Sequence, residues 1–178
     1  MPELVPPTTA VHASFLSAMA EFAREGRGGP DDYTMIGEEI RGNMDTWHDA
    51  RAFADYTAGL RADALEETPR RPGWVPCTTL WYVERSEYLG RLAIRHRLTP
   101  WLLERGGHIG YDVRPSVRSH GHATNMLADS LPIAKGLGIS DVLVTCDVDN
   151  VASRRVIEKN AGRLEDERGG KLRFWIRT

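Results

Sequence analysis

The chain has 178 residues, of which 41% are hydrophobic and 27% charged, and its net charge is −2. These values suit one soluble globular domain with a substantial core, and they exclude the basic surface that nucleic acid or an anionic membrane requires, so small ligands are the expected partners. Two cysteines, Cys77 and Cys146, are too few for a disulfide scaffold or a four-thiolate zinc site, and buried thiols of a cytoplasmic protein are the prediction.

The first 75 residues have the pattern of helices and loops. Their first apolar stretch is interrupted by polar residues and has no basic flank, so we expect neither a signal peptide nor a membrane span. Apolar residues at helical spacing predict helices over Val11 to Arg24 and about Asp49 to Leu65. Asp32 is the predicted cap of a short helix running to about Arg41. Residues 1–178 are predicted to form a single domain, with residues 1–75 as its helical N-terminal part.

Residues 78–178 alternate strands with helices. β-branched and aromatic residues predict strands, and helical periodicity with closing glycines predicts helices, one of them bent at Pro132. In chain order the predicted elements are strands over Thr78 to Glu84, Tyr88 to Arg97 and His108 to Val113, a helix over Ala123 to Leu137, a strand over Val142 to Cys146, a helix over Val151 to Asn160, and a hairpin over Arg163 to Thr178. This order predicts a mixed α/β sheet.

The junction from Ile109 to Ala123 carries the chemistry. A strand ends before Pro115, a short loop follows, and a helix begins with the small residues Gly121 and Ala123. The first amides of a helix lack internal partners and carry part of a positive charge, so small residues there admit an anion such as a pyrophosphate. Arg118 adds a positive charge to this loop. An ordinary turn is the alternative interpretation.

The sequence of this junction and of the next segment resembles the GCN5-related N-acetyltransferase (GNAT) superfamily. The matching segments are Tyr111-Asp-Val113-Arg-Pro115, Arg118-Ser-His-Gly121-His-Ala123, and the strand Val142 to Cys146 followed by Asn150 and a helix ending near Gly162. The segments Gly107-His-Ile-Gly-Tyr111 and Thr145-Cys-Asp-Val-Asp-Asn150 are also similar to those of a bacterial branch of predicted acetyltransferases. The resemblance implies a mostly antiparallel mixed central sheet, flanked by helices and splayed to admit acyl-CoA. It also implies an acetyl-CoA-dependent N-acyltransferase.

The resemblance further implies where acetyl-CoA, the cosubstrate, would bind. Backbone groups of Tyr111 and Val113 would pair with its pantetheine arm, as an added strand does. Asn150 would hydrogen-bond this arm with Ser153 beside it, although helix capping is the alternative role for both residues. Backbone amides would hold the pyrophosphate, namely those of Arg118, Ser119, His120, Gly121, His122, Ala123 and Thr124.

The sequence offers several candidates for the general acid and the general base. In many relatives a Tyr at the position of Ile157 acts as the general acid that protonates the leaving thiolate. In this chain Tyr111, another Tyr or water would take that role. His108 is a candidate base, with a structural histidine as the alternative. Asp147 is a candidate for attracting a cationic amine, with loop capping as the alternative. The other options are Glu84 as a base, an acyl relay on Cys146, and an amine attracted by the acidic cluster of Asp31, Asp32, Glu38 and Glu39.

The acceptor expected from the resemblance is the amine of a small molecule, acetylated by direct attack in a ternary complex, with the Val113 N–H as donor to the acetyl oxygen. Residues 1–75 would form the acceptor side of the domain. A protein or peptide amine is the second reading, and residues 98–106 are where an open groove would lie. A non-catalytic acyl-CoA sensor is the third. No metal is expected. Dimers are common in the family, so a homodimer is one expectation, and the acyl group would be acetyl or longer.

Overall fold

The computed structural model describes all 178 residues and contains a seven-stranded sheet. The β-branched and aromatic runs form its strands as expected, and a short N-terminal strand is added that the sequence did not indicate. The strands are β1 Glu3–Val5, β2 Cys77–Glu84, β3 Glu87–Arg95, β4 Ile109–Val113, β5 Asp141–Asp147, β6 Arg163–Arg168 and β7 Lys171–Arg177. Their order across the sheet is β1-β2-β3-β4-β5-β7-β6.

Five α-helices accompany the sheet, with bounds within a few residues of those predicted. They are α1 His12–Arg24, α2 Met35–Asn43, α3 Ala50–Ala62, α4 His122–Gly136 and α5 Val151–Lys159. A π-helical turn at Leu102–Gly106 occupies the predicted loop, and a 3-10 turn at Pro115–Val117 follows β4. None of the helices is both long and apolar enough to cross a membrane.

All neighbouring strands are antiparallel except β4 and β5, which run parallel. The β4–β5 register contains the single pair Ile109 and Val144, so the two strands separate beyond that point. The mixed, mostly antiparallel and splayed sheet predicted from the sequence is therefore confirmed.

Two hydrophobic cores lie on the two faces of this sheet. One contains Leu92, Ile94, Val142 and Val144 and packs against α4 and α5. The other packs α1, α2 and α3 over β2 and β3 and is rich in aromatic rings, with Phe15 in contact with five of them. Each core excludes water from one side of the central strands. A polar group buried on those strands therefore costs free energy unless it is hydrogen-bonded.

The predicted cap of α2 was wrong by two residues. Thr34 is the cap, since its hydroxyl accepts from the Gly37 N–H at 3.2 Å. Asp32 instead accepts from the Thr34 hydroxyl at 2.5 Å and from the Gly28 N–H at 3.0 Å. Asp32 therefore fixes the loop before the helix, and the loop in turn orients the cap.

Candidate functional site

The edge of β4 that faces β5 carries free backbone groups. The β3–β4 ladder is bracketed by bonds from Arg95 N–H to the His108 carbonyl and from Arg114 N–H to the Leu89 carbonyl. Backbone groups alternate sides along a strand, so those of Tyr111 and Val113 point toward β5, beyond the place where the strands separate. The Val113 carbonyl accepts from Arg118 Nε at 3.1 Å. This leaves the Val113 N–H and both backbone groups of Tyr111 available to an extended ligand.

The loop after β4 presents unpaired amides at the start of α4. The first intrahelical bond runs from Asn125 N–H to the Gly121 carbonyl, so the amides of His122, Ala123 and Thr124 have no acceptor within the helix. Gly121 has a φ of +82°, and an added Cβ would meet nothing within 4 Å. Ser119 also has a positive φ of 67°. The structure thus gives open space in front of a helix terminus that favours anions.

The side chains around this terminus differ from a simple cationic loop. Arg118 makes two 2.8 Å hydrogen bonds to the Glu25 carboxylate, which anchors the loop to α1 and partly neutralises the arginine. The His120 ring bonds to the Arg118 carbonyl at 2.8 Å. The His122 Nδ1 is buried without a protein partner. Anion binding at this place would therefore depend on the backbone amides more than on the guanidinium.

Tyr111, Ser153 and Asn150 meet at the opening between β4 and β5. The Tyr111 hydroxyl lies 2.8 Å from the Ser153 Oγ, and the Asn150 Oδ1 accepts from the Ser153 N–H at 3.0 Å. Asn150 is thus the cap of α5, as the alternative interpretation had it, while its Nδ2 stays free to donate. Burial raises the pKa of Tyr111 to about 12, although the Ser153 hydrogen bond opposes this shift. The phenol is therefore protonated at neutral pH.

One cavity of about 1050 Å³ connects this opening to the opposite face of the sheet. At one end it is lined by Tyr111, Cys146 and Ser153, and at the other by α2, the loop around Trp74 and the turn around Trp101. Six carboxylates line it, namely Asp31, Asp32, Glu38, Asp63, Asp112 and Asp147. The acidic cluster of the sequence is therefore divided, because three of its members line the cavity and Glu39 pairs with Arg91.

The floor of the cavity is formed by the sheet and contains charged residues that the sequence analysis did not single out. Arg91, Ala93 and Arg95 of β3 share one face and line the cavity together with Gly110 and Asp112 of β4. A signal for them was present, since arginines alternating with apolar residues in a central strand place charge on a face that the core should cover. Asp112 accepts from Arg27 Nη2 at 3.2 Å.

His108 lies outside this cavity, contrary to the prediction that it serves as a base. Its ring is 7% exposed, and its Nδ1 accepts from the Leu143 N–H at 2.9 Å across the sheet. Burial, with a smaller effect of Arg95, lowers the pKa of His108 to about 4. The imidazole therefore acts as a neutral acceptor that joins β4 to β5, which matches the structural alternative.

The remaining candidates are distributed differently around the site. Asp147 lines the cavity, and its carboxylate lies 2.5 Å from Lys171 Nζ, which reduces its attraction for a cation. Glu84 is distant from the cavity and pairs with the N-terminal amine at 3.4 Å. Cys146 lines the opening, and burial with the nearby Asp147 raises the pKa of its thiol, which disfavours an acyl relay. No group of three or more His, Cys, Asp and Glu residues is arranged to hold a metal ion.

A sheet that opens between two parallel strands, next to a helix terminus suited to a diphosphate, defines an acyl-CoA-dependent transferase. The sequence model of one protein family, described as acetyltransferase (GNAT) domain, matches residues 30–163. The chain therefore belongs to the GNAT acetyltransferase family and is an acyltransferase that uses acetyl-CoA. A search of curated protein sequences found no significant match.

Solved structures with the same fold cover the whole chain. PaiA N-acetyltransferase from Thermoplasma acidophilum, in complex with coenzyme A, is 13% identical with a TM-score of 0.61, over 100% of this chain and 99% of that one. RimJ from Mycobacterium smegmatis, in complex with CoA-disulfide, is 21% identical with a TM-score of 0.67, over 99% and 82%. An acetyltransferase from Salmonella typhimurium that modifies the N-terminal serine of ribosomal protein L7/L12 is 17% identical with a TM-score of 0.59, over 99% and 95%.

Proposed function

We propose that this protein transfers an acetyl group from acetyl-CoA to the amine of a small molecule, by direct attack in a ternary complex. The observation that carries the proposal is the single cavity that runs from the β4–β5 opening to the charged compartment beside α2. Acetyl-CoA bound in the β4–β5 opening and an amine bound beside α2 would meet inside this cavity while both remain bound. This arrangement favours direct transfer over a covalent enzyme intermediate.

The donor would bind chiefly through main-chain groups. The pantetheine arm would pair with the free backbone groups of Tyr111 and Val113, and Asn150 Nδ2 would donate to it. The amides of Ser119, His120, Gly121, His122, Ala123 and Thr124 would hold the diphosphate. The Arg118 N–H, also expected there from the sequence, donates instead to the Pro115 carbonyl at 3.3 Å. The open space in front of Gly121 fits this role, since an added Cβ meets no atom there.

The transfer itself needs a neutral amine, a donor for the oxyanion and a proton for the leaving sulfur. The unpaired cavity carboxylates Asp31 and Glu38, more than the ion-paired Asp147 and Asp112, would attract the ammonium form, and the amine would lose its proton to water or to a carboxylate. The Val113 N–H would donate to the tetrahedral oxyanion. The C–S bond then breaks, and the protonated Tyr111 phenol, or a water it positions, would supply the proton to the thiolate.

A protein or peptide amine is a second candidate, favoured by two observations. Trp74 is 49% and Trp101 62% exposed at the cavity mouth, and they offer apolar surface to a chain that extends out of the site. RimJ and the L7/L12-modifying enzyme also share the fold over nearly the whole chain. Trp101 lies in the segment 98–106, where a groove for a peptide was expected.

A thiol-release assay with acetyl-CoA distinguishes these readings. We expect CoA release with small amines in a panel that also contains peptides with free N-termini and longer acyl-CoA donors. Release with peptides alone would favour the second candidate. If acetyl-CoA binds and no amine or peptide releases thiol, the protein would be a sensor and the proposal would fail.

A further inference from the structure

The cavity floor contains two arginines, and only one of them pairs with a carboxylate. Arg91 is 3% exposed, and only one of its terminal nitrogens pairs, with the Glu39 carboxylate. The other, Nη2, is buried without any partner. A buried donor that makes no hydrogen bond costs about 1–3 kcal/mol, and more when it is charged. Such a group indicates a ligand or an ordered water that completes it.

Arg95, the second arginine, has no carboxylate within ion-pair distance. Its Nη1 donates to the carbonyls of Gly106 and Gly107 at 3.0 and 3.3 Å, and its Nη2 reaches only the Met35 sulfur at 3.3 Å. Burial, and to a lesser extent the charge of Arg91, lowers the pKa of Arg95. An arginine stays charged in this range, so Arg95 is a cation at the cavity floor that has no carboxylate partner.

The Arg95 guanidinium also lies beside β4, the strand that would hold the donor. A Cβ added to Gly110 would lie 3.7 Å from its Nη1 and 3.9 Å from its Nη2. Gly110 directly precedes Tyr111, whose backbone faces the β4–β5 opening. An anion bound by Arg95 would therefore lie beside β4, three residues before the proposed oxyanion donor Val113.

We propose that the acceptor carries a carboxylate next to its amine, as an α-amino acid does, and that Arg95 and Arg91 Nη2 recognise that carboxylate. This inference rests on the proposed function. Charge separation within the cavity supports it. The arginines form the floor together with Asp112, whose charge Arg27 balances, whereas Asp31 and Glu38, which have no ion-pair partner, form the wall beside α2. A cationic floor below acidic walls complements a zwitterion, and a peptide N-terminus lacks the adjacent negative charge.

The test uses matched acceptors with the wild-type protein. For each amino acid in a panel, thiol release from acetyl-CoA is compared between the free acid, its carboxamide and its decarboxylated amine. Binding of the corresponding N-acetyl acids and N-acetyl amides to the CoA-loaded protein is measured by calorimetry. We expect the acids to exceed the amides by about 10- to 100-fold in kcat/KM or in affinity, the range for hydrogen bonds to charged groups.

Two variants link the preference to the residue. Arg95→Gln should lower kcat/KM for the acids while leaving the carboxamides nearly unchanged, and Arg95→Lys should recover part of the loss. The exposed Arg97, paired with Glu66 on the surface, gives the matched control Arg97→Gln. Should Arg95→Gln fail to fold, the wild-type comparison still decides.

The outcomes distinguish failure of the carboxylate site from failure of the proposed acetyltransferase activity. Acids and amides that behave alike in turnover and in binding would overturn the carboxylate site, as would an Arg95→Gln variant that loses both substrates equally. Acids that bind more tightly than amides without any thiol release would uphold the site and contradict the transferase activity. Amides or peptides that are acetylated better than acids would uphold the activity and contradict the site.

Discussion

The Tyr111 hydroxyl and the Ser153 hydroxyl lie 2.8 Å apart across the opening between β4 and α5. Ser153 is held in turn by the Asn150 side chain, which caps α5. The position where many relatives carry an acidic Tyr is occupied here by Ile157, which is fully buried. We therefore propose Tyr111 as the phenol that protonates the departing thiolate.

Replacing Tyr111 by Phe tests this role. We expect kcat for acetyl transfer to fall by about 10- to 100-fold, at the low end for general acid catalysis because a thiolate leaves readily without help. The affinity for CoA should change little, since the backbone of residue 111 is retained. The control is Ser153→Ala, which removes the neighbouring hydroxyl and keeps the phenol. A Tyr111→Phe enzyme with unaltered kcat would remove Tyr111 from the mechanism.

Substitution of Gly121 by Asp tests the anion site in front of α4. The new carboxylate would occupy the open space and repel the diphosphate, so CoA affinity should fall by about 10- to 100-fold, as expected for loss of charged hydrogen bonds. Gly138, after the other end of α4, is a matched control, because its φ of +83° and its empty surroundings equal those of Gly121. Gly138→Asp should bear the same backbone strain and keep its CoA affinity. Equal affinities of the two variants in calorimetry would contradict the assigned diphosphate site.

His108 should make the fold sensitive to acid. Its folded pKa of about 4 lies below the ordinary value of 6.5, so the unfolded chain binds the proton first as the pH falls. The stabilisation is complete above pH 6.5 and declines toward pH 4, by about 3 kcal/mol in all. His108→Gln should flatten the dependence of unfolding free energy on pH in this window, whereas His48→Gln, at an exposed site, should not.

The same variant tests whether His108 moves protons during catalysis. Because the ring is outside the cavity, we expect the pH–rate profile of His108→Gln to keep its shape after correction for the folded fraction. A lost acidic limb would restore His108 as the base.

Asp32 should stabilise the start of α2 at neutral pH. Burial alone would raise its pKa, but hydrogen bonds from Thr34 and Gly28 and the charge of Arg27 outweigh this and lower it to about 2. The contribution is therefore present above the ordinary value of 3.8 and is lost as the pH falls toward 2. Asp32→Asn should cost about 1–2 kcal/mol at pH 7 after allowance for solvent screening, measured by urea unfolding. The exposed Asp31→Asn control should cost far less; similar losses would contradict this account.

Local patterns in the sequence were enough to predict six of the seven strands, the five helices and the open turn at Gly121. Strand alternation and helix periodicity act over a few residues, and the small residues that begin α4 lie within one such stretch. The prediction for His108 failed because alternation shows which face a residue occupies but not its partner across the sheet. That partner, the Leu143 amide, is distant in sequence.

Arg91 and Arg95 were missed for a related reason. Their alternation with Leu92 and Ile94 was visible, but whether that face of β3 meets solvent, core or cavity depends on how α2 and the loop around Trp74 lie over it. Asp32 shows the same limit on a smaller scale. The residue type suits a cap, yet the geometry of the Gly28–Thr34 loop gave the cap to Thr34 and made Asp32 its support.

A crystal structure of the protein with coenzyme A tests the central claim most directly. The account predicts the pantetheine arm between β4 and β5, bonded to the backbone of Tyr111 and Val113, with the diphosphate against the amides before and within the first turn of α4. Coenzyme A bound elsewhere, or an opening that stays closed at saturating ligand, would contradict it.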